Sequence, residues 1–332
     1  MNLLVTGGGG YIGSVVAAEL IAAGHSVTVV DNLCHGYRAA VPPPARFLEA
    51  DIGDRILLQR VIREHGIEAV LHFAALIEAG ESMHVPEKYF RVNTAGALAL
   101  VEAMLACDVK RLVFSSTAAV YGEPRSIPIK EDAPLEPTNV YGTSKLLVER
   151  MLAWFHRIHG LRYASLRYFN AAGATGALGE AHEPESHLIP LVLQVAAGKR
   201  PAISIFGSDY HTPDGTCVRD YIHVSDLADA HVRALDALAS RSELIYNLGN
   251  GHGFSVREVI EAARRVTGHP VPTVEAPRRP GDPALLVASS ERITREMGWR
   301  PRYPDLESII ASAWRWHQQH PHGYRVQHAA GE

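Results

Sequence analysis

A cluster of glycines follows the first apolar run of the chain. Residues 3–5 are apolar, residues 6–13 read Thr-Gly-Gly-Gly-Gly-Tyr-Ile-Gly, and apolar side chains recur at a spacing of four over residues 12–20. This order predicts a strand, a tight turn and a helix. Glycines in such a turn let backbone N–H groups approach a pyrophosphate at the N-terminus of the helix. The pattern therefore predicts a dinucleotide site.

The surroundings of the turn favour NAD among the dinucleotides. Gly7, Gly10 and Gly13 are spaced as G-x-x-G-x-x-G, and Asp31 ends the second predicted strand, 18 residues after Gly13. Its carboxylate would accept hydrogen bonds from a ribose 2′-hydroxyl and would repel the 2′-phosphate of NADP. The alternative is a glycine-rich turn with an incidental aspartate.

Strand and helix patterns alternate through the first half of the 332 residues, whereas prolines interrupt the second half. The alternation predicts an α/β fold: a Rossmann-type doubly wound parallel sheet and a smaller C-terminal mixed α/β substrate domain. We expect an NAD-binding domain at residues 1–170, to which the chain returns around 219–250, and a substrate domain at 171–218 and 251–332.

Sequence patterns predict the positions of the helices, strands and loops along the chain. Ser255 and Glu258 form a capping box, which predicts the start of one further helix. The segment 270–283 is predicted to be an ordered loop, and the tail after Trp316 a solvated end. Predicted strands are 3–5, 27–30, 46–50, 69–73, 111–114, 162–169, 221–224 and 244–248, and predicted helices are 54–65, 87–107, 140–159 and 225–238.

Composition limits the partners. Lys and Arg total 32 and Asp and Glu total 36, so the net charge is −4 and there is no basic surplus to bind nucleic acid. There is no apolar stretch of 18 residues and no signal-peptide pattern, which predicts no membrane association. Cys34, Cys107 and Cys217 form neither a disulfide framework nor a metal-binding spacing, so we expect a cytoplasmic protein.

Tyr141 and Lys145 lie four residues apart in the predicted helix at 140–159, so they share one face. An adjacent ammonium favours the phenolate, which predicts a lowered pKa for Tyr141 and a role as general base for a hydroxyl. Solvated helices contain the same spacing by chance. The motif gains weight from the Ser-Ser-Thr sequence at 115–117, which ends a strand at the same edge of the sheet. A base for an alcohol beside NAD implies hydride transfer.

These motifs resemble those of the extended short-chain dehydrogenase/reductase family, and in particular its nucleotide-sugar epimerases. The resemblance covers nearly the whole chain. Its second-half motifs are the more specific, because the cofactor motifs are shared across the superfamily. Besides the glycine turn and the Tyr-x-x-x-Lys pair, it rests on Asp31-Asn32-Leu33, His72-Phe73-Ala74-Ala75, Gly80-Glu81-Ser82, Val120-Tyr121-Gly122, Arg167-Tyr168-Phe169-Asn170, Ile205-Phe206-Gly207, Asp214-Gly215-Thr216, residues 218–224, Tyr246-Asn247-Leu248-Gly249 and Arg278-Arg279-Pro280-Gly281-Asp282.

The resemblance implies an NAD-dependent isomerase of galactose metabolism that interconverts UDP-glucose and UDP-galactose. Tyr141 would take the proton of the sugar 4-hydroxyl while C4 gives its hydride to tightly bound NAD. The 4-keto sugar would turn over and receive the hydride on its other face. Lys145 would hold Tyr141 deprotonated and bond the nicotinamide ribose, and Thr117 stands where the family has Ser or Thr.

The same resemblance implies two sets of contacts and a homodimer formed through the helices at 87–107 and 140–159. The expected partner is a small UDP-sugar, and no metal is expected. The expected cofactor contacts are Gly7, Gly10, Tyr11, Ile12, Gly13, Asp31, Asn32, Asp51, Ile52, Phe73, Ala74, Ala75, Asn93, Tyr141, Lys145 and Phe169, and the expected substrate contacts are Thr117, Tyr141, Asn170, His187, Leu188, Phe206, Arg219, Arg279 and Asp282.

The chain departs from related patterns at several positions. Ile77 stands where some members carry a lysine near the cofactor phosphate. Ala118 and Ala119 follow Thr117, and alanine transfers no proton, which argues against the family's dehydratases and decarboxylases. Leu285 falls near a position that some members fill with tyrosine, so we expect room for an N-acetyl group and activity on UDP-N-acetylhexosamines.

The sequence is also compatible with two other functions, and it contains one segment that resembles a metal-binding motif. The rivals are another NAD(P)-dependent nucleotide-sugar reductase or epimerase, which Asp31 disfavours if the cofactor is NADPH, and a non-catalytic NAD-binding regulator. The segment from His182 to His187 is one residue longer than the zinc motif H-E-x-x-H, and Pro184 would break the helix that the motif needs, so it is not interpreted as a metal site.

Overall fold

The computed structural model describes residues 1–279 and 282–325, so Pro280, Gly281 and residues 326–332 lie outside the described part. The strands are β1 (Asn2–Thr6), β2 (Ser26–Asp31), β3 (Arg46–Glu49), β4 (Ala69–His72), β5 (Arg111–Thr117), β6 (Arg162–Tyr168), β7 (Asn170–Ala172), β8 (Ile203–Phe206), β9 (Val218–His223), β10 (Glu243–Leu248), β11 (Gly253–Ser255), β12 (Thr273–Ala276) and β13 (Leu285–Leu286). The helices are α1 (Tyr11–Ala22), α2 (Arg55–Glu64), α3 (Ala79–Ser82), α4 (Pro86–Tyr89), α5 (Gly96–Ala106), α6 (Val140–His159), α7 (Leu188–Ala196), α8 (Val224–Ala237), α9 (Val256–Thr267), α10 (Glu291–Met297) and α11 (Leu306–Gln319).

Seven strands form one parallel sheet in the order β3–β2–β1–β4–β5–β6–β10. The order reverses at β1, where Thr6 is in register with Val30 of β2 and with His72 of β4. In open sheets of this kind, ligands bind beyond the carboxyl ends of the strands at the point of reversal. The predicted Rossmann-type fold is confirmed.

Helices cover both faces of this sheet because its strands are apolar on both sides. On one face α1 and α8 contribute Val16 and Leu227 to a fully buried core. On the other face α2, α5 and α6 contribute Leu58, Leu100 and Leu152. The long helix α6, which carries Tyr141 and Lys145, is thereby fixed against the sheet.

A second group of elements, which follow β6 in the chain, lies outside the seven-stranded sheet. In it, β9 pairs with β7, β11 and β13, and β8 pairs with β12. The helices α7, α9 and α11 form a separate core, to which Ile189, Ile260 and Ile309 belong. The predicted capping box is present at the start of α9, where Ser255 and Glu258 bond each other's backbone N–H groups.

Three expectations about local structure differ from what is observed. The predicted loop at 270–283 is wrong in part, because it contains β12; that strand is mostly exposed and pairs with one neighbour, so it lacks an apolar signal. The predicted helix at 87–107 is interrupted by a π-helical turn at Phe90–Ala95.

The tail is the third difference. The prediction of a solvated end is wrong at His320 and Tyr324, whose rings lie 4.8 and 5.4 Å from the ring of the buried Trp316. The rest of the predicted tail, residues 326–332, falls outside the described residues. Among the helices that the structure describes, none combines the length and apolarity needed to cross a bilayer.

Candidate active site

A cavity of about 330 Å³ opens at the carboxyl edge of the seven-stranded sheet. One side of it is formed by the glycine turn between β1 and α1. The opposite side is formed by the end of β5, the start of α6 and the segment between β7 and α7. The cavity therefore lies where the reversal of strand order predicts a ligand.

The glycine turn is built for close backbone approach. Gly7 has a φ of +76°, a conformation that favours glycine, and a Cβ there would lie 2.5 Å from the backbone nitrogen of Ala74. A Cβ at Gly13 would lie 2.2 Å from the carbonyl oxygen of Gly7. The N-cap of α1 is Gly10, which makes no side-chain cap, so the first N–H groups of the helix stay available to an anion. This arrangement fits the pyrophosphate of a dinucleotide.

Two acidic side chains lie beside the turn. Asp31 accepts hydrogen bonds from the backbone N–H groups of Gly9 and Leu33, both at 2.8 Å, which fixes its carboxylate at the cavity wall. The Asn32 amide donates to Asp51 at 2.9 Å. These side chains line the cavity at the ends of β2 and β3, where a nucleoside ribose and base would follow the pyrophosphate.

Tyr141, Lys145 and Thr117 all line the same cavity. The first turn of α6 is capped by Asn139, whose side chain accepts from the N–H of Gly142. A Cβ at Gly142 would lie 2.5 Å from the carbonyl oxygen of Ala119, so this glycine lets α6 approach the end of β5 closely. Burial raises the pKa of Tyr141, while a hydrogen bond with Thr117 acts in the opposite direction.

The prediction that Lys145 lowers the pKa of Tyr141 is wrong. The Lys145 ammonium donates to the carbonyl oxygen of Ser115 at 2.9 Å and lies 5.0 Å from the centre of the Phe114 ring. Burial lowers the pKa of Lys145 to about 7, so the side chain carries only part of its charge near neutral pH. In this structure desolvation therefore outweighs any effect of Lys145 on Tyr141.

A buried ion pair holds α6 in place behind these residues. Glu149 lies two helical turns after Tyr141 and accepts two hydrogen bonds from Arg167 of β6, at 2.6 and 3.0 Å. Ser116 donates to the same carboxylate at 2.5 Å. The pair links α6 to the two strands whose ends carry Thr117 and Tyr168, so it determines where Tyr141 meets the cavity.

The predicted site residues fall into two groups. Most of them line the cavity: Gly7, Gly10, Tyr11, Ile12, Gly13, Asp31, Asn32, Asp51, Ile52, Phe73, Ala74, Ala75, Thr117, Tyr141, Lys145, Phe169, Asn170 and His187. Six others lie outside its lining among the described residues: Asn93, Leu188, Phe206, Arg219, Arg279 and Asp282.

Asn93 is buried and connects elements behind the cavity. Its side chain bonds both backbone groups of Leu76, at 2.8 and 3.0 Å, and donates to Ser144 of α6 at 3.0 Å. Leu76 itself lines the cavity. Asn93 therefore acts on the cavity through the segment after β4.

The two predicted diphosphate ligands, Arg219 and Arg279, each contact another predicted substrate residue. Arg219 forms an ion pair with Asp282, and the Arg279 guanidinium lies 3.9 Å from the centre of the Phe206 ring. Their region adjoins the cavity through Asn170, whose amide donates to the carbonyl oxygen of Asp220 at 3.0 Å. The motif that contains Arg279 and Asp282 also includes Pro280 and Gly281, which lie outside the described residues.

The sequence interpretation missed one buried pair. His231 of α8 accepts a hydrogen bond from Tyr168, because its other ring nitrogen donates to the Leu227 carbonyl at 2.7 Å. Burial lowers the pKa of His231 to about 4, which keeps the ring neutral. Tyr168 and Phe73, which packs on the His231 ring at 4.9 Å, both line the cavity. No local motif joins His231 to either residue, since α8 follows far along the chain.

Other lining residues were also not predicted. They include Cys34 and His35 after β2, Glu78 and Glu81 near α3, and Glu180, His182, Glu183 and Pro184 between β7 and α7. The carboxylates and imidazoles of this last segment are the groups in the cavity wall that are suited to a metal ion.

Comparison with known proteins gives a consistent result. The model of the "NAD dependent epimerase/dehydratase family" matches residues 3–249. The chain is 55% identical to a UDP-glucose 4-epimerase of Streptomyces lividans over 322 residues, which cover 97% of each chain.

Two solved structures are similar over nearly the whole chain. One is a UDP-glucose-4-epimerase of Stenotrophomonas maltophila with bound NAD and formylated UDP-arabinopyranose; it is 44% identical, with a TM-score of 0.93 and coverage of 97% and 99%. The other is the UDP-Glc/GlcNAc 4-epimerase of Campylobacter jejuni; it is 41% identical, with a TM-score of 0.84 and coverage of 96% and 99%.

Proposed function

Because the chain belongs to the NAD dependent epimerase/dehydratase family, we propose that it interconverts UDP-glucose and UDP-galactose by inverting C4 of the hexose with NAD as its cofactor. The observation that carries the proposal is that the glycine turn and the Tyr141, Lys145 and Thr117 side chains line one cavity. A bound dinucleotide and a sugar hydroxyl can therefore meet there.

The glycine turn, Asp31 and Lys145 are the residues that would hold NAD, which supplies the acceptance and return of the C4 hydrogen. The chain's own part is proton transfer and positioning. Burial raises the pKa of Tyr141 in the structure, and the positive charge of a bound nicotinamide ring would favour the phenolate. In that form Tyr141 takes the proton of the sugar 4-hydroxyl and later returns it to the 4-keto oxygen, so one side chain serves as base and acid. Thr117 contacts Tyr141 and orients the hydroxyl. Lys145, on the next turn of α6, would bond the nicotinamide ribose.

The substrate's diphosphate would bind beside Asn170. Arg219 and Arg279 are suited to it because a guanidinium binds phosphate oxygens through two parallel hydrogen bonds. Phe206, Leu188, His187 and Asp282 would surround the nucleotide and sugar. On this proposal the seven-stranded sheet and its helices form the cofactor domain, and the elements around β8, β9 and α7 form the substrate domain.

Elimination and decarboxylation fit the site less well. A dehydratase needs a further acid or base next to Thr117, and Ala118 and Ala119 occupy those positions. A reductase that exchanges NADPH would meet the Asp31 carboxylate with its 2′-phosphate. Epimerisation needs neither an additional acid nor an exchangeable cofactor.

The test is to incubate the purified protein with UDP-galactose and no added NAD, and to identify the product. We expect UDP-glucose and a dinucleotide that stays with the protein. Tyr141→Phe should lower kcat by roughly a thousandfold, within the range of acid–base catalysis, and keep its NAD. The matched control is Tyr303→Phe, since Tyr303 is 40% exposed and does not belong to the cavity lining. Unchanged turnover in Tyr141→Phe, or no conversion by the wild type, would refute the proposal.

UDP-N-acetylhexosamines are proposed as additional substrates. Leu285 lies in β13, opposite Val218 and next to the residue paired with Arg219, so it borders the expected sugar region. A leucine leaves more room there than a tyrosine. The similar Campylobacter jejuni protein, whose name includes GlcNAc, is consistent with such an activity.

A homodimer is proposed through α5 and α6. Trp154 and Ile158 of α6 are 62% and 68% exposed and lie four residues apart on one face, which a second copy of the chain would cover. Trp154→Glu should shift the protein from dimer to monomer in light scattering. Ile56→Glu, at an exposed position of α2, should not. The three cysteines are free in the structure, which is consistent with a location in the reducing cytoplasm.

A further inference from the structure

Four side chains with metal-binding atoms converge between β7 and α7. Glu180, His182, Glu185 and His187 each offer one ligand atom, and these four atoms lie within 4.8 Å of one another. None of the four is needed for proton transfer by Tyr141, and His187 is the single member that the sequence assigns to the substrate. The cluster therefore calls for its own explanation.

The contacts within the cluster are short and share atoms. One oxygen of Glu180 lies 3.0 Å from Nδ1 of His182 and 2.9 Å from Nδ1 of His187. The same Nδ1 of His187 lies 2.9 Å from Glu185. The Glu180 and Glu185 side chains are only 5% and 7% exposed, so both carboxylates are largely shielded from solvent. A zinc ion about 2.0–2.2 Å from each ligand atom would require the shortest of these contacts to lengthen and the four atoms to draw around one point.

The irregular backbone of residues 179–187 brings His182 and His187 together without a helix. Residues 179–187 form no helix or strand, so His182 and His187 need not obey helical spacing. The segment is anchored at Gly179, which bonds the Tyr324 hydroxyl and packs directly on Trp316. Pro184 would break a helical zinc motif, but it does not prevent these side chains from meeting in an irregular segment.

The charge of the cavity also favours a cation. Glu180 and His182 belong to its wall, as does His187. Among the described residues, the cavity lining includes one lysine, Lys145, and no arginine, against six carboxylates: Asp31, Asp51, Glu78, Glu81, Glu180 and Glu183. A cavity that takes up diphosphates gains electrostatically from a bound dication in its wall.

We propose that Glu180, His182, Glu185 and His187 form a site for a divalent transition-metal ion of the zinc type. Two imidazoles and two carboxylates are a ligand set that zinc accepts in four-coordinate geometry. Two imidazoles disfavour magnesium and calcium, which bind oxygen ligands. His187, which the proposed function places beside the substrate, would bind the ion through Nδ1 and leave Nε2 for the substrate.

The test uses the full-length protein with its bound dinucleotide and Co²⁺ as a visible probe of tetrahedral coordination. We expect one Co²⁺ per chain with intense visible absorption, displaced by Zn²⁺ and unaffected by excess Mg²⁺. His182→Gln should weaken binding by more than roughly 100-fold, beyond the loss typical of an outer-shell partner. His84→Gln, at an exposed histidine, is the matched control and should bind like the wild type.

A second variant protects the test against misfolding. Glu180→Gln keeps the size of the buried side chain and removes its charge, and its fold is checked by circular dichroism. Loss of the cobalt spectrum in Glu180→Gln and His182→Gln, with NAD content unchanged, supports the site. Equal binding by these variants and by His84→Gln, or an octahedral spectrum in the wild type, overturns it. Because the readout is a binding spectrum, its failure is distinct from a failure to epimerise UDP-galactose.

Discussion

The cofactor side of the site and the proposed substrate side, which lies next to the cavity, are built in different ways. On the cofactor side, Gly7, Gly13 and Asp31 come from one strand–turn–helix–strand segment and act largely through backbone atoms. On the substrate side, Arg219 and Asp282 come from distant segments and already form an ion pair with each other. The first side is preformed by local chain geometry, whereas on the proposed function the second would exchange internal contacts for those of a ligand.

The largest effect is expected where the backbone leaves no room. Gly13→Ala places a Cβ 2.2 Å from the carbonyl oxygen of Gly7, and backbone cannot yield as a flexible side chain does. We expect purified Gly13→Ala to lack dinucleotide and activity, as measured by chromatography of the nucleotide released on denaturation. Gly80→Ala is the control, because a Cβ there meets nothing within 4 Å. Full NAD content in Gly13→Ala would show that the turn is less rigid than its geometry indicates.

The next effect concerns the buried lysine of the cofactor side. Burial lowers the pKa of Lys145 from 10.5 to about 7, so the unfolded chain binds more protons between these values and stability rises with pH across that window. Below pH 7 the buried ammonium costs on the order of 5 kcal/mol. Lys145→Met should therefore stabilise the dinucleotide-free protein most below pH 7.

Urea denaturation between pH 6 and 10.5 measures this gain. The free-energy difference between Lys145→Met and the wild type should shrink as the pH approaches 10.5, the ordinary value for lysine. A difference that is constant with pH would mean that Lys145 is fully charged in the folded protein.

The sequence predicted the glycine turn and the place of Asp31 beside it because their signals are local. The apolar run, the glycines and Asp31 follow one another along the chain, and the hydrogen bonds that fix Asp31 come from Gly9 and Leu33. The pKa of Tyr141 was predicted in the wrong direction, because spacing along a helix shows that Lys145 is near but not that both groups are desolvated.

The substrate side and its surroundings were harder to predict from the sequence. His231 reaches Tyr168 from a helix 63 residues further along, and no spacing rule joins them. The strand β12 has mostly exposed side chains and so lacks the alternation that reveals a strand. The segment from His182 to His187 does not match the helical zinc motif, so the sequence does not predict that its side chains meet Glu180 in an irregular segment.

An intermediate effect is expected on the substrate side. Arg219→Gln removes a guanidinium that would bind the diphosphate and leaves Asp282 without its ion-pair partner. We expect KM for UDP-galactose to rise roughly 10- to 100-fold, since hydrogen bonds to charged groups contribute about 1.5–3 kcal/mol, with NAD content unchanged. Arg233→Gln, in an exposed pair with Asp229, should leave KM as it is. Loss of NAD from Arg219→Gln would contradict the separation of the two sides.

The smallest effect concerns the choice of sugar. Leu285→Tyr fills the space next to the expected sugar region, so we expect the rate with UDP-N-acetylglucosamine to fall about tenfold relative to that with UDP-galactose. Val274→Tyr, on the exposed strand β12, is the control and should leave the ratio of the two rates unchanged. An unchanged ratio in Leu285→Tyr would place the N-acetyl group elsewhere.

The central claim is that tightly bound NAD and Tyr141 act together at C4 of the sugar. NAD exchanges the hydrogen on the carbon, and Tyr141 exchanges the proton of its hydroxyl. The most direct measurement follows deuterium at C4 of UDP-galactose during conversion in ordinary water. The proposed function predicts UDP-glucose that keeps the label at C4, because the hydrogen leaves and returns within the cavity while only the hydroxyl proton passes through Tyr141. Product that carries solvent hydrogen at C4 would contradict it.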